Sequence, residues 1–428
     1  MAVRRHLEHV WRAVSTNHGF DEIDGPTFEH LELYTAKSGD GIVSELFSFR
    51  RAGGDTDYAL RPEFTPTLAR MAAARGAQMA KPIKWYSIPT HYRAERPQRG
   101  RLREFIQWNV DILGDDSPAA DAEIMAVAVG VLERLGLTPN DVVLRISNRD
   151  AVGAMLQSMG VCADALPSAF ELLDRREKLP PETFDEQALA LLGGDATMKS
   201  RFDALCETPV QSLDAVDTMP DLPDLARETL ANVRRELAAR DLLDWCQLDF
   251  GIVRGLAYYT GTVFEVHEVS GKERAIAGGG RYDNLVELFG GKPTPAVGFA
   301  MGDVVIGLVL SDRGLLEEPA AYMPRPDVFV IHVRDDDPSE HMLPAIARLR
   351  RHGLHVRHSY RSTKNVGKLL GEAGKNRARF ALIIGAEFDE GIVVIKDLDA
   401  GTQIEMPLAE AEAHMREKRM MEAEPCEG

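Results

Sequence analysis

Cysteine is scarce in this chain. Its 428 residues include four, Cys162, Cys206, Cys246 and Cys426, all far apart. None forms a Cys-x-x-Cys pair, so neither a zinc ribbon nor a disulfide framework is expected, and a reducing, cytoplasmic setting is. No apolar run approaches the roughly 20 residues that span a bilayer. The opening Met-Ala-Val-Arg-Arg-His-Leu-Glu enters an amphipathic pattern at once and carries no signal-peptide core. No Gly-x-x-x-x-Gly-Lys-Ser/Thr loop occurs, so any ATP must be held without a P-loop. Gly278-Gly-Gly280 lacks the spacing of a dinucleotide fingerprint. Three glycines in a strand mark close approach by a ligand or a neighbouring backbone. Internal repeats and low-complexity tracts are absent. Positive charge is in deficit, with 50 Lys+Arg against 67 Asp+Glu and a net charge of −17. Such a balance excludes indiscriminate nucleic-acid binding, and DNA is not an expected partner.

Against that acidic background, positive charge is concentrated in two places. Residues 91–111 place Arg93, Arg96, Arg99, Arg101 and Arg103 within eleven positions. Strand-like residues flank them (Ile83 to Ile88, Val110 to Leu113), and Leu102, Phe105 and Val110 supply an apolar face. A loop of this kind grips a polyphosphate through bidentate guanidinium contacts; a solvated charged hairpin is the plain alternative. The second concentration runs from Arg348 to Arg379, with ten Lys/Arg against one acid, Glu372. One basic face on an acidic body suits a selective RNA partner, or is merely a charged helix surface.

Periodicity divides the chain into three parts. Helical spacing appears at 1–18 and 119–136, with Gly136 as a C-cap; short strands meet at a Gly53-Gly54 hairpin; Val142–Ile146 is a strand. Residues 151–240 read as a mostly helical insertion, broken at Leu179-Pro-Pro181 and Met219-Pro-Asp-Leu-Pro223. Strands resume at Gln247–Val253, Val263–Glu268 and Ala275–Ala277, and a helix follows Gly302. Beyond the linker at 317–326, strand–helix alternation implies a small α/β domain with a mixed or parallel sheet: strands at 328–333, 355–360, 380–384 and 392–397, helices at 340–352 and 364–374. His352, His355 and His358 span a helix end, a turn and a strand, so no metal site is expected there.

The run Arg93-Ala-Glu-Arg-Pro-Gln-Arg-Gly-Arg-Leu-Arg-Glu-Phe-Ile-Gln107 resembles the second signature motif of class II aminoacyl-tRNA synthetases, in the form found in the histidyl-tRNA synthetase family. The segment 19–29 around Pro26 resembles the first, dimer-forming motif, and Arg61-Pro-Glu-Phe-Thr65 the substrate-amine loop. Val253-Arg-Gly-Leu-Ala-Tyr-Tyr-Thr-Gly-Thr-Val-Phe-Glu265, Ala277-Gly-Gly-Gly-Arg-Tyr-Asp283 and Ala296-Val-Gly-Phe-Ala-Met-Gly302 complete an ordered set covering nearly the whole chain.

The resemblance implies an antiparallel sheet flanked by helices (1–150 and 241–318), a helical insertion (151–240) and an α/β anticodon-binding-like domain (326–428). It implies ATP as substrate with Mg²⁺, histidine and its tRNA as partners, and a homodimer. Arg93 and Arg254 would act at the α-phosphate. Arg101 and Arg103 would face the outer phosphates, and Phe105 would stack on adenine. Glu63, Thr65, Gln107 and Asp111 would surround the histidine amino group, with Arg93 and Arg254 alongside and Tyr258 and Tyr259 near the imidazole. The glycine run would floor the amino-acid pocket. Arg357, Arg361, Lys364 and Lys368 are the expected tRNA contacts.

Four positions depart from the family pattern. The third-motif arginine for the outer phosphates is missing, since Gly302 is followed by Asp303-Val304-Val305. Ala257 replaces an aspartate and Phe64 a loop glycine, giving a bulkier wall. The usual Gly-x-Arg-Asp segment is absent before Arg4. A histidine-sensing, non-catalytic paralogue, such as the regulatory subunit of ATP phosphoribosyltransferase, is the competing expectation. The C-terminal α/β domain and the retained arginines weigh against it.

Overall fold

The computed structural model describes residues 1–38, 45–176, 179–206, 210–219, 222–253, 258–361 and 363–423. It divides into two units, Met1–Tyr322 and Met323–Gly428.

The first unit is built on a sheet of ten strands among the described residues. Its middle is antiparallel, running Ile83–Ser87, Glu104–Leu113, Ala296–Gly302, Ala277–Arg281, Thr260–Glu268 and Val142–Asn148. Parallel pairs at either end, Asp21–Glu22 beside Ile83–Ser87 and Cys246–Leu248 beside Val142–Asn148, make the whole sheet mixed. The long strand Glu104–Leu113 explains the site. Successive side chains alternate between faces, so Ile106, Trp108, Val110 and Ile112 enter the main core. There Trp108 stacks on Trp11 at 5.9 Å and donates from Nε1 to Ser15 Oγ at 3.0 Å. Helices Ala2–Asn17 and Pro118–Arg134 cover this face with Leu7, Val10, Val14, Ile124 and Val131. Burying each such side chain contributes about 1.5–3 kcal/mol. Phe105, Gln107, Asn109 and Asp111 belong to the opposite face.

The single apolar face expected of Leu102, Phe105 and Val110 therefore does not form. Phe105 and Val110 differ by an odd number of residues and lie on opposite faces, while Leu102 is exposed in the loop. The strand begins at Glu104 rather than Val110, which confines the arginine loop to 93–103. The strand expected over Gln247–Val253 stops at Leu248, because Asp249 Oδ1 accepts the Gly251 amide at 2.9 Å and turns the chain. The glycine strand is Ala277–Arg281, slightly later than expected. The helix Pro118–Arg134 ends as anticipated, with Gly136 at φ +82° just beyond it. Among the described residues, five α-helices between Arg149 and Ala238 share the main core, through Leu156, Phe170, Phe184, Phe202 and Leu230.

The second unit carries a five-stranded mixed sheet. Val328–His332 lies between Val356–His358 and Phe380–Ile384 and is parallel to both; Ile392–Asp397 and Gln403–Pro407 continue antiparallel. The strand at 403–407 and the helix Leu408–Ala423 were not anticipated, because the charged tail hides their periodicity. From Val328–His332 the chain steps one way to Val356–His358 and back the other way to Phe380–Ile384. Right-handed crossovers then put helices Met342–Arg351 and Val366–Lys375 on opposite faces. The two cores agree, with Val328 and Val330 facing the first helix and Phe329 and Ile331 the second. The ten cations of 348–379 therefore do not form one face.

Candidate active site

The residues singled out at 61–111, 258–259 and 277–302 meet on the face of the large sheet opposite its main core. Arg61 is a buried fastener: Nε donates to Thr90 O at 2.8 Å and Nη1 to Gly25 O at 2.9 Å. It ties the Arg-Pro-Glu loop to the segment around Pro26 and to the strand leading to Arg93. Phe64 is fully buried beneath Gly25, whose added Cβ would lie 2.8 Å from its ring. It fills a core and is not the bulky pocket wall expected from sequence.

Arg93 is half-buried, and its Nε donates to Pro62 O at 3.1 Å. Its guanidinium carbon lies 5.0 Å from the centre of the Phe105 ring, within cation–π range. Burial lowers its pKa, while Glu63, Glu95 and Glu45 counter that and Arg101 adds to it. The neighbouring carboxylate, Glu63, accepts from Tyr258 Oη at 2.8 Å. Tyr258 is buried among Tyr259 and Tyr282, with ring centres at 4.9 Å and 6.1 Å. Burial and then Glu63 raise its pKa; a hydrogen bond with Thr65 opposes them. A fixed cation, a carboxylate and a hydroxyl-bearing aromatic wall thus stand together.

Behind Phe105 stands His91, which sequence inspection passed over. Its ring stacks on Phe105 at 5.6 Å and its Nδ1 meets Pro89 O at 3.0 Å. Burial, aided by Arg61 and Arg93, pushes its pKa down to about 3, so it backs the aromatic platform as a neutral ring.

Asp111 is 4% exposed and accepts from Tyr282 Oη at 2.5 Å. Burial pushes its pKa up to about 7, and the tyrosine hydrogen bond partly opposes this. A Cβ on Gly298, its partner across the ladder, would lie 2.0 Å from Asp111 Oδ1. Gly279 is equally confined, its Cβ position falling 2.2 Å from Gly298 O. These glycines admit a neighbouring strand and a buried carboxylate. Gln107 is half-buried two residues before Asn109, whose Nδ2 donates to its carbonyl at 3.1 Å.

The remaining loop arginines differ in their partners. Arg101 pairs with Glu95, and Arg103 Nε donates to Glu95 O at 3.3 Å. Arg99 turns away to Glu273 at 2.6 Å and Asp312 at 3.1 Å. Asp303, in the departed third motif, ties this region down: Oδ1 accepts the Ile106 amide at 3.0 Å and Oδ2 pairs with Arg4 at 2.7 Å. Val305 is buried beside Gly100. Arg254, with Gly255, Leu256 and Ala257, lies outside the described residues.

In the second unit, Arg357, Arg361, Lys364 and Lys368 are all exposed along the Val356–His358 edge and the start of the helix Val366–Lys375. Arg357 Nη1 donates to Asn376 Oδ1 at 2.9 Å, and Lys364 pairs with Asp335. Tyr360, not singled out from sequence, is 89% exposed among them, its ring 4.3 Å from that of His358. On the opposite side of the sheet, Arg348 and His352 are both held by Glu412. The one possible metal-binding group among the described residues is Asp336, Glu340 and His341.

Comparison with known proteins agrees with this geometry. The family profile described as histidyl-tRNA synthetase matches residues 1–303, and an anticodon binding domain profile matches 327–418. A histidine–tRNA ligase of Opitutus terrae is 36% identical over 425 residues, covering 97% of this chain and 95% of the relative. One from Halobacterium salinarum is 38% identical over 415 residues, covering 96% and 93%. The crystal structure of a histidyl-tRNA synthetase from a Nostoc species superposes with a TM-score of 0.75 at 26% identity, covering 96% of this chain and 95% of that one.

Proposed function

We propose, from the premise that this chain belongs to the histidyl-tRNA synthetase family, that it activates histidine with ATP and transfers the histidyl group to the 3′ end of its tRNA. The observation that carries this reading is the convergence of Arg93, Glu63, Tyr258 and Phe105 on one sheet face. Activation drives a carboxylate against the α-phosphate of ATP, and two anions must approach while further charge develops. A preorganised guanidinium held by Pro62 O meets that need without reorganising during the reaction. Arg254, assigned by resemblance, would share the α-phosphate with Arg93. Glu63 supplies the counter-charge for the substrate ammonium, and Tyr258 fixes the carboxylate oxygen that receives it. Thr65, Gln107, Asp111 and Tyr259 complete the histidine pocket, Asp111 by anchoring Tyr282. Phe105, backed by His91, offers a platform for adenine, with Arg101 and Arg103 toward the phosphates.

Mg²⁺ accompanying ATP would neutralise phosphate charge. Glu95 Oε2, a buried carboxylate oxygen without a hydrogen-bond partner among the described residues, fits that role. Residues 1–150 and 241–318 form the catalytic domain in this reading, 151–240 the helical insertion, and 326–428 the tRNA-facing domain. Arg357, Arg361, Lys364 and Lys368 contact tRNA, and Tyr360 is placed to stack on an unpaired base. Homodimer formation is supported by the aromatic cluster on a three-stranded sheet, Phe28–His30, Asp57–Leu60 and Ser48–Arg50, that begins within the first-motif segment. There Phe28, Phe49 and Tyr58 have ring centres 5.6–5.8 Å apart, with Phe28 and Phe49 exposed. No helix among the described residues is long and apolar enough to cross a membrane, which accords with a cytoplasmic site of action. The matches extend through the C-terminal unit and over most of each catalytic relative, which favours the ligase over the histidine-sensing paralogue.

Histidine-dependent ATP–pyrophosphate exchange tests the proposal. Exchange with histidine and not with other amino acids is expected, and Arg254→Ala should abolish it while histidine binding persists. Histidine binding without exchange in the parent protein would refute the ligase reading.

A further inference from the structure

We propose that Arg274 binds the outer phosphates of ATP, in place of the third-motif arginine this chain lacks; the inference rests on the reading of the site as an ATP-dependent ligase. The geometry comes from Gly100 at the tip of the arginine loop. A Cβ there would meet two side chains, Val305 Cγ2 at 3.6 Å and Arg274 Cδ at 3.7 Å. Val305 stands where the missing arginine was expected. Arg274 therefore passes the same glycine that a cation at position 305 would pass, but arrives from the segment preceding the glycine strand.

That segment is fastened by the two residues just before Arg274. Glu273 is buried and pairs with Arg99 of the loop at 2.6 Å, and Lys272 pairs with Asp312. The next residue, Arg274, is exposed and has no hydrogen bond or ion pair among the described residues. The charges that act on it are those of the loop. Partial burial is the first cause that lowers its pKa; Arg101 and Arg93 lower it further, and Glu95 raises it. Glu95 is the one carboxylate that acts on Arg274, and it is shared with Arg93 and Arg101, whereas Arg93 has Glu63 and Glu45 as well. A polyanion with its terminal phosphates there relieves that repulsion and receives charge-assisted hydrogen bonds. A purely structural arginine would instead be paired like Arg99.

Calorimetric titration of the full chain with ATP, pyrophosphate and AMP, each with Mg²⁺, tests this. Arg274→Ala should weaken ATP and pyrophosphate about ten- to a hundredfold, the loss of one charge-assisted contact, and leave AMP affinity unchanged. Intact AMP binding also reports that the adenine site is folded. Unchanged ATP affinity, or equal losses for ATP and AMP, would overturn the proposal. These titrations need neither histidine nor tRNA. A parent protein that failed in exchange would refute the ligase reading, while the ATP-against-AMP comparison would still decide Arg274; a parent that bound no ATP would overturn both.

Discussion

Asp111→Asn should stabilise this protein at neutral pH and do nothing to it in acid. The carboxyl of Asp111 is buried, accepts a single hydrogen bond from Tyr282, and is pressed by Gly298. Burial raises its pKa from an ordinary 3.8 to about 7. Below about pH 4 the group is protonated whether the chain is folded or not, and its folded-state advantage is fully present. As pH rises toward about 7, the unfolded chain has already released the proton while the folded chain must still be made to release it. Stability therefore falls through that window and levels off above it. At about 1.4 kcal/mol per pK unit, the full difference is about 4 kcal/mol, an upper figure because buried sites relax.

Asparagine keeps the shape and an oxygen for Tyr282 but never ionises. Urea unfolding of parent and variant at about pH 5 and about pH 8 should show the variant gaining stability chiefly at the higher pH, with a flattened pH dependence. A difference between the two proteins that stays constant with pH would refute the assignment of a perturbed carboxyl to Asp111. Histidine binding supplies an independent check. If the substrate ammonium favours the ionised carboxylate, binding near pH 6 should release a proton that asparagine cannot supply. Calorimetry in buffers of differing ionisation enthalpy reads that directly.

Two further outcomes are expected. Tyr258→Phe removes the hydroxyl donated to Glu63 and should raise the KM for histidine about tenfold, the cost of a hydrogen bond to a charged group, with the KM for ATP unchanged; an equal rise for both substrates would contradict the role given to Glu63. Neutralising Arg357, Arg361, Lys364 and Lys368 together should weaken tRNA charging and flatten its salt dependence while leaving exchange intact, whereas unchanged charging would remove this edge of the second unit as the RNA surface.

Much of the architecture was legible in the residues. The helix spacing of 1–18 and 119–136, the Gly53-Gly54 hairpin and the strand–helix alternation after 326 all appear in the structure near their expected bounds, because each is set by contacts within a few residues. Errors arose where a local pattern met a longer-range one. Spacing alone suggests one apolar face for Phe105 and Val110, yet strand alternation sends them apart. Phe64 suggests a pocket wall from its bulk alone, yet the nearness of Gly25 places it in a core. The basic run after Arg348 suggests one surface from its spacing alone, yet the reversal of crossover direction about Val328–His332 divides it.

By itself the sequence determined the chemistry available here: a loop dense in guanidiniums, a carboxylate beside it, paired tyrosines, a glycine strand, and a separate α/β domain. Those properties reside in residue type and near-neighbour spacing. Only the tertiary structure decided which groups are free to act. It pairs Arg99 with Glu273 and Arg101 with Glu95, buries Asp111 under Tyr282, sets His91 behind Phe105, and brings Arg274 past Gly100 beside Val305. Each of these depends on strand register, on burial that changes the cost of charge, or on residues far apart in the chain, and no local pattern records them.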